Sequence, residues 1–308
     1  MEIIRDLEAL APQPFAVVAL GNFDGVHMGH QWILKVAIEN ARASGGRAFA
    51  LTFEPSPARV LAPERAPRLI LAPEDKLELL RRSGVDGVIV LNFTRELSLL
   101  APRDFVSQYL VERIGARAVI VGHSVSFGHN RAGNAEVMAE LGREAGFAVK
   151  VIGPIKVAGM EVSSTRVREV IAAGDLRTAA NLLGRHHFVS GPVVHGRERG
   201  RTIGFPTANI QSRTECIPPD GVYATRLILP DASTHASITN IGMRPTFAEP
   251  ERTIEAHVFD FNRDIYDQPV RLELIERIRA ERKFESGAAL AAQITSDLKR
   301  ARAILLLA

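Results

Sequence analysis

Apolar runs that alternate with helical periods, and then stop doing so, constrain this chain more than any other feature. Phe15–Leu20 (FAVVAL), Arg47–Phe53, Val85–Phe93 (VDGVIVLNF) and Ala116–Val121 (ARAVIV) are short strand-like runs of the kind buried on both faces of a parallel sheet. Gln31–Ala43, Glu74–Arg82, Arg103–Arg113 and Asn134–Ala145 carry helical spacing, and Gly45-Gly46 stops the first of them. Strand and helix in repetition predict a doubly wound α/β sheet, whose ligands bind beyond the carboxyl ends of its strands. Near Leu183–Ser190 the pattern changes. Phe188–Val194, Gly221–Leu229, Thr234–Ile241, Thr253–Phe259 and Val270–Ile278 are strand candidates separated by turn signals. They predict a small antiparallel sheet or barrel, followed by one amphipathic helix over Ser286–Leu305. A chain of 308 residues holds two such cores. The expected domains are residues 1–185 and 186–308.

Composition matters here mainly for what it excludes. Cys216 is the only cysteine, so no intrachain disulfide forms, and nothing beside it offers the base that a nucleophilic thiol needs. Met1–Glu8 carries acids early and reads as no secretory signal. No apolar run approaches the roughly 20 residues that span a bilayer. The expectation is a cytoplasmic protein that does not bind membranes. A net charge of +3 with arginines spread along the chain suits small anionic ligands as well as RNA and decides little, whereas only 6% aromatic residues argue against a nucleic-acid partner. Self-association is left open.

The segment Leu20-Gly21-Asn22-Phe23-Asp24-Gly25-Val26-His27-Met28-Gly29-His30 joins the first strand to the first helix. Gly25 and Gly29 permit a tight turn, and a helix N-terminus offers free N–H groups to a phosphate. His27 and His30 can then face one phosphate and donate as charge develops on it. The plain alternative is a sharp turn with two surface histidines. A metal site lacks further ligands at suitable spacing. No G-x-x-x-x-G-K-[ST] string occurs, which excludes a P-loop NTPase. Val162-Ser163-Ser164-Thr165-Arg166-Val167-Arg168 opens another helix, where the hydroxyls either cap it or bind an anion within reach of Arg168. Phe127-Gly128-His129-Asn130-Arg131-Ala132-Gly133-Asn134 reads as a flexible binding loop.

In the second half, Gly196-Arg197-Glu198-Arg199-Gly200-Arg201-Thr202-Ile203-Gly204-Phe205-Pro206-Thr207-Ala208-Asn209 is rich in Gly and Arg and feeds a strand. Thr207 and Asn209, two apart, put two oxygens on one side of an extended chain, a donor set that suits Mg²⁺. An ordinary loop with exposed arginines is the plain alternative.

Together these strings resemble the bifunctional prokaryotic riboflavin kinase/FAD synthetases, from about residue 14 to 304. That family joins an HxGH nucleotidyltransferase domain to a riboflavin kinase module. The resemblance implies a Rossmann-like nucleotidyltransferase domain, then a small antiparallel β-barrel with a C-terminal helix. It implies riboflavin, FMN and ATP as substrates and Mg²⁺ as cofactor. His27 and His30 would stabilise the α- and β-phosphates of ATP, while Ser164, Thr165 and Arg168 hold the triphosphate. Asn22 and Asp24 would shape the nucleotide pocket, and the loop with Phe127, Gly128 and Arg131 would meet the flavin. In the kinase module Gly200, Arg201, Gly204 and Pro206 would cover the phosphates, Thr207 and Asn209 would hold Mg-ATP, and Glu255 would be the catalytic base. Asn240-Ile241-Gly242-Met243-Arg244-Pro245-Thr246-Phe247 and Gly221-Val222-Tyr223-Ala224 match further family strings. Two departures stand out. Gly122–Phe127 (GHSVSF) lacks the family's acidic-aromatic pair, and Tyr266-Asp267 replaces its Tyr-Gly.

Overall fold

The computed structural model describes residues 2–7, 10, 15–196, 205–244, 251–282 and 284–307. By packing, the chain divides into two units, Met1–Arg68 with Pro73–Ser164, and Leu69–Ala72 with Thr165–Ala308.

In the first unit β1 (Glu2–Ile4), β2 (Ala16–Leu20), β3 (Arg47–Glu54), β4 (Gly87–Asn92), β5 (Ala116–Gly122) and β6 (Ala148–Ile152) form one sheet in the order β1-β4-β3-β2-β5-β6. Every pairing in it is parallel. All five residues of β2 are buried, as an apolar run in a two-sided sheet requires. Helices α1 (Met28–Ala43), α2 (Pro57–Leu61), α3 (Pro73–Arg82), α4 (Arg95–Ser98), α5 (Pro102–Phe105) and α6 (Ala135–Ala145) connect the strands. Residues Val106–Arg113 continue α5 as a π-helix, where an ordinary helix was expected. The chain winds from β2 to β3 and β4 on one side, then crosses to β5 and β6 on the other. The switch point therefore lies between β2 and β5, beside the loop that leaves β2. A short hairpin, β7 (Lys156–Val157) with β8 (Met160–Glu161), precedes the end of this unit.

The second unit begins with α7 (Ser164–Ala172), whose first residue still packs with the first unit, and α8 (Leu176–Leu183). Strands β9 (His187–Val194), β10 (Ala208–Ile210), β11 (Gly221–Ile228), β12 (Thr234–Arg244), β13 (Glu251–Val258) and β14 (Pro269–Ala280) close into a barrel in the order β10-β13-β12-β11-β14-β9. Tyr223, Leu227, Ile241, Ile254, Leu272 and Leu274 fill it, and Leu176 of α8 joins the same cluster. The final helix, α9 (Gly287–Leu307), lays Ala301 against Val222, Ala224 and Ile238 on the outside. The segment Leu69–Ala72 is tied into this unit by backbone. Leu69 N–H donates to Glu215 Oε2 at 2.9 Å, and Cys216 N–H donates to Leu69 O at 2.9 Å.

His187, at the start of β9, is 1% exposed, and its Nε2 lies 2.8 Å from the Cys216 carbonyl. Burial, reinforced by nearby Arg185, pushes its pKa down to about 4 against the hydrogen bond. The folded protein thus holds this imidazole neutral. Its contribution is complete above the unfolded value near 6.5 and is lost as pH falls from there toward about 4. The loss is on the order of 3 kcal/mol. Urea unfolding followed by far-UV circular dichroism at several pH values should show a steeper acid loss in wild type than in His187→Gln. Parallel slopes in the two proteins would refute the assignment.

Candidate functional site

There are two candidate sites, the first on the histidine loop of the first unit and the second on the barrel. The first is built on the loop between β2 and α1. Helix α1 starts at Met28, three residues earlier than its spacing suggested, so both histidines belong to its N-terminus. His27 is the N-cap, and its Nδ1 accepts from the His30 backbone N–H at 3.3 Å. Accepting at Nδ1 leaves the ring proton of neutral His27 on Nε2. The two imidazoles stack at 3.5 Å between centroids and 14° between planes. Gly29 permits this, because a Cβ there would stand 3.2 Å from the His27 ring. The pair thus sits where α1 concentrates unsatisfied N–H groups and positive potential, beside the switch point of the sheet.

The approach to α1 is strained and braced. Phe23, Gly25 and Val26 have φ of 52°, 85° and 40°, and positive values are unfavourable for Phe and Val. Phe23 is fully buried and meets His30 edge-on at 5.3 Å. Ser164 Oγ donates to the Asp24 carbonyl at 2.8 Å, within the same unit. Thr165 and Arg168 follow along α7, the former exposed and the latter half-buried. Asn22 is exposed and Asp24 half-buried. The 127–134 loop is pinned at both ends. Phe127 pairs with Gly133, His129 N–H donates to Leu100 O at 2.7 Å, and Arg131 Nε donates to Ser126 Oγ at 3.1 Å. The Phe127 ring itself lies in the core against Phe105, so only the backbone and the exposed tip with Arg131 can meet a ligand.

Sequence reasoning passed over Lys76. Its Nζ lies 3.4 Å from Thr52 Oγ1, 3.2 Å from Phe53 O and 3.4 Å from Glu54 Oε2. Burial pulls this ammonium below the usual lysine range, and Glu54 partly restores it. The one available signal was spacing, since Lys76 falls four residues before buried Leu80 on α3.

The second site lies on the barrel. Asn209 of β10 stands opposite Glu255 of β13, and Glu255 stands opposite Asn240 of β12. Three polar side chains thereby form a row on one face, within the reach of directly paired strands. The Asn209 amide packs over Gly196 so closely that no Cβ fits there. Two cavities share Thr207 in their walls, and the smaller of them is lined by Glu255 and Asn240 of the row. One, of about 450 Å³, also has Val193, Ala256, Ile265 and Tyr266 in its wall. The other, of about 330 Å³, has Glu255, Asn240 and His257 beside the apolar Ile238, Phe284 and Ile294. His257 Nδ1 donates to the Pro206 carbonyl at 2.8 Å, which fixes the chain just before Thr207. On the far wall the buried carboxylate of Asp297 from α9 accepts from Arg279 Nε at 2.8 Å. His257, Arg279 and Asp297 were missed because their strand and helix positions read as ordinary alternation. Gly200, Arg201 and Gly204 lie outside the described residues. Asp267 has φ of 60°, the left-handed conformation that a Tyr-Gly turn favours, and its N–H donates to Val193 O at 2.8 Å.

Comparison with known proteins gives two family models on the one chain. The model described as FAD synthetase matches residues 11–166, and the one described as riboflavin kinase matches residues 183–305. A bifunctional riboflavin kinase/FMN adenylyltransferase of Escherichia coli (strain K12) is 36% identical over 304 residues, covering 98% of this chain and 97% of the relative. The protein of that description from Pseudomonas fluorescens is 37% identical over 307 residues, covering 99% and 98%. A crystal structure of a protein described as a macrolide-efflux protein from Streptococcus pneumoniae superposes with a TM-score of 0.87 at 31% identity, covering 97% of this chain and 98% of the other. Among the described residues here, no helix is long and apolar enough to cross a membrane.

Proposed function

Because the chain belongs to the family of bifunctional riboflavin kinase/FMN adenylyltransferases, we propose that it phosphorylates riboflavin to FMN at the barrel and adenylylates FMN to FAD at the parallel sheet. ATP serves both reactions. We assign the first activity to residues 186–308 and the second to residues 1–185. One observation carries the reading. A stacked histidine pair at a sheet switch point and an Asn–Glu pair beside a cavity that Glu255 lines are built on unrelated architectures within one chain.

In the adenylyl transfer, the FMN phosphate attacks the α-phosphorus of ATP and pyrophosphate leaves. Charge grows on the α- and β-phosphate oxygens, where His27 and His30 donate from the N-terminus of α1. Ser164, Thr165 and Arg168 take the triphosphate by the family pattern. The loop carrying Gly128 and Arg131 receives the flavin, with the buried Phe127 ring holding that loop in shape.

In the phosphoryl transfer, the larger cavity takes the nucleotide and the smaller one, which Glu255 lines, takes the flavin. Both reach Thr207, as the two substrates of one transfer require. Glu255 accepts the proton of the ribityl 5′-hydroxyl as that oxygen attacks the γ-phosphorus. By the family pattern, Pro206 and the Gly-Arg string before it would cover the phosphates. The Thr207 hydroxyl and the Asn209 amide oxygen are hard, neutral donors two residues apart, and they fit a Mg²⁺ that keeps its other ligands from phosphate and water. Bound there, the ion would neutralise charge on the phosphates. The reading places the protein in the cytoplasm, where Mg-ATP is made, with no nucleic-acid or membrane partner.

Incubating the pure protein with riboflavin and Mg-ATP tests the proposal. ADP with FMN reports the kinase, and pyrophosphate with FAD reports the adenylyltransferase. Absence of either product pair removes the corresponding half.

A further inference from the structure

A lysine ammonium is a three-way donor that accepts nothing, and burying one without acceptors is costly. Lys76 is 7% exposed, and its ammonium has three acceptors within reach, namely Thr52 Oγ1, Phe53 O and Glu54 Oε2. Thr52 is fully buried, and its hydroxyl has one proton to give. Facing a pure donor, that hydroxyl must accept from Lys76 and turn its own proton elsewhere. It donates to the Asn22 carbonyl at 3.1 Å. The relay thus runs from α3 through the end of β3 to the loop after β2. The Asp24 carbonyl, two residues on, is held independently by Ser164 Oγ at 2.8 Å. Between these anchors lie the positive φ of Phe23 and the ring that abuts His30. A backbone in such a conformation persists only when its surroundings fix it.

We infer that Lys76 is a positioning residue for adenylyl transfer, acting through the Thr52 hydroxyl to hold the Asn22–Asp24 backbone in its nucleotide-binding shape. The inference rests on the adenylyltransferase reading above. Lys76 does not itself touch substrate. Its loss relaxes the pocket and weakens ATP binding more than it slows the chemistry, because the His27–His30 pair has its own support in α1.

The test uses the full-length protein with FMN, varied ATP and Mg²⁺, and reads pyrophosphate and FAD. Lys76→Gln and Thr52→Val should each raise KM for ATP about tenfold, as loss of one charge-assisted hydrogen bond implies, with kcat held within about threefold. The double variant should be no worse than the worse single one, because both cut the same relay. Thr52→Ser keeps the hydroxyl and should recover most of the affinity. Riboflavin phosphorylation by the same preparations reports folding and should stay at the wild-type rate. If Lys76→Gln folds poorly, Thr52→Val against Thr52→Ser still decides the matter. A folded Lys76→Gln or Thr52→Val protein with wild-type KM for ATP overturns the inference, and so do effects that multiply in the double variant. A wild-type protein that makes no FAD from FMN overturns the adenylyltransferase reading itself, before any variant is measured.

Discussion

Alanine at both His27 and His30 is expected to collapse FAD formation while FMN formation from riboflavin continues. Each substitution removes a donor aimed at developing phosphate charge, and one such donor is typically worth about 10²-fold in rate or more. The double variant should therefore lose about 10⁴-fold if the two act independently, and less if the stacked rings act as one unit. The structure adds a complication for His27, whose Nδ1 caps α1. Alanine there also removes the cap, which costs about 1 kcal/mol of helix stability. His27→Asn separates the two roles, since asparagine caps well but cannot place a donor where the imidazole Nε2 stands. It should fold like wild type and still fail to make FAD. Coupled assays on one preparation measure both products. Equal loss of FMN and FAD in a folded protein would contradict separate sites.

The residues that were legible in the sequence are those whose chemistry depends on local spacing. The β2 run, the turn behind it and the α1 period follow one another without interruption, so the placement of His27 and His30 could be read from order alone. What the spacing missed was the start of α1, because Gly29 and the residue before it resemble a turn until the His27 cap is seen. Strand β6 escaped notice because its AVKVI segment is largely exposed and so lacks an apolar run. Helix α8 was hidden by its shortness, although Asp175 caps it and Gly184 ends it in the left-handed conformation. Its Leu176 packs in the barrel core, so the divide in packing falls earlier in the chain than the change in periodicity. Lys76 and the Arg279–Asp297 pair were illegible for a common reason. A charged residue on a helix or strand reads as a solvated position unless tertiary neighbours bury it, and those neighbours come from distant segments.

The barrel makes Glu255 the sharper test of the kinase assignment. Register, rather than proximity in sequence, sets it beside Asn209, and the cavity it lines also holds the apolar surface suited to a flavin ring. Glu255→Gln keeps the size and the strand pairing but cannot accept the 5′-hydroxyl proton. Losing a general base in this way typically costs about 10² to 10⁴ in rate. The expected outcome is a kcat for FMN formation reduced by that order, with KM for riboflavin changed by less than about threefold, because the flavin contacts survive. FAD formation from supplied FMN should persist at the wild-type rate, since that chemistry belongs to His27 and His30. Steady-state assays of ADP release, with FAD formation from added FMN as the internal control, measure both. Glu281 is the informative comparison. It lines the same cavity on the other side of the row, and its side chain lies over Gly242, where it leaves no room for a Cβ. A Glu255→Gln protein that makes FMN normally would rule out Glu255 as the base, and Glu281→Gln would then be the variant to lose turnover. Loss of turnover confined to Glu255→Gln would fix the attacking hydroxyl on the Glu255 side of the cavity that Thr207 also lines.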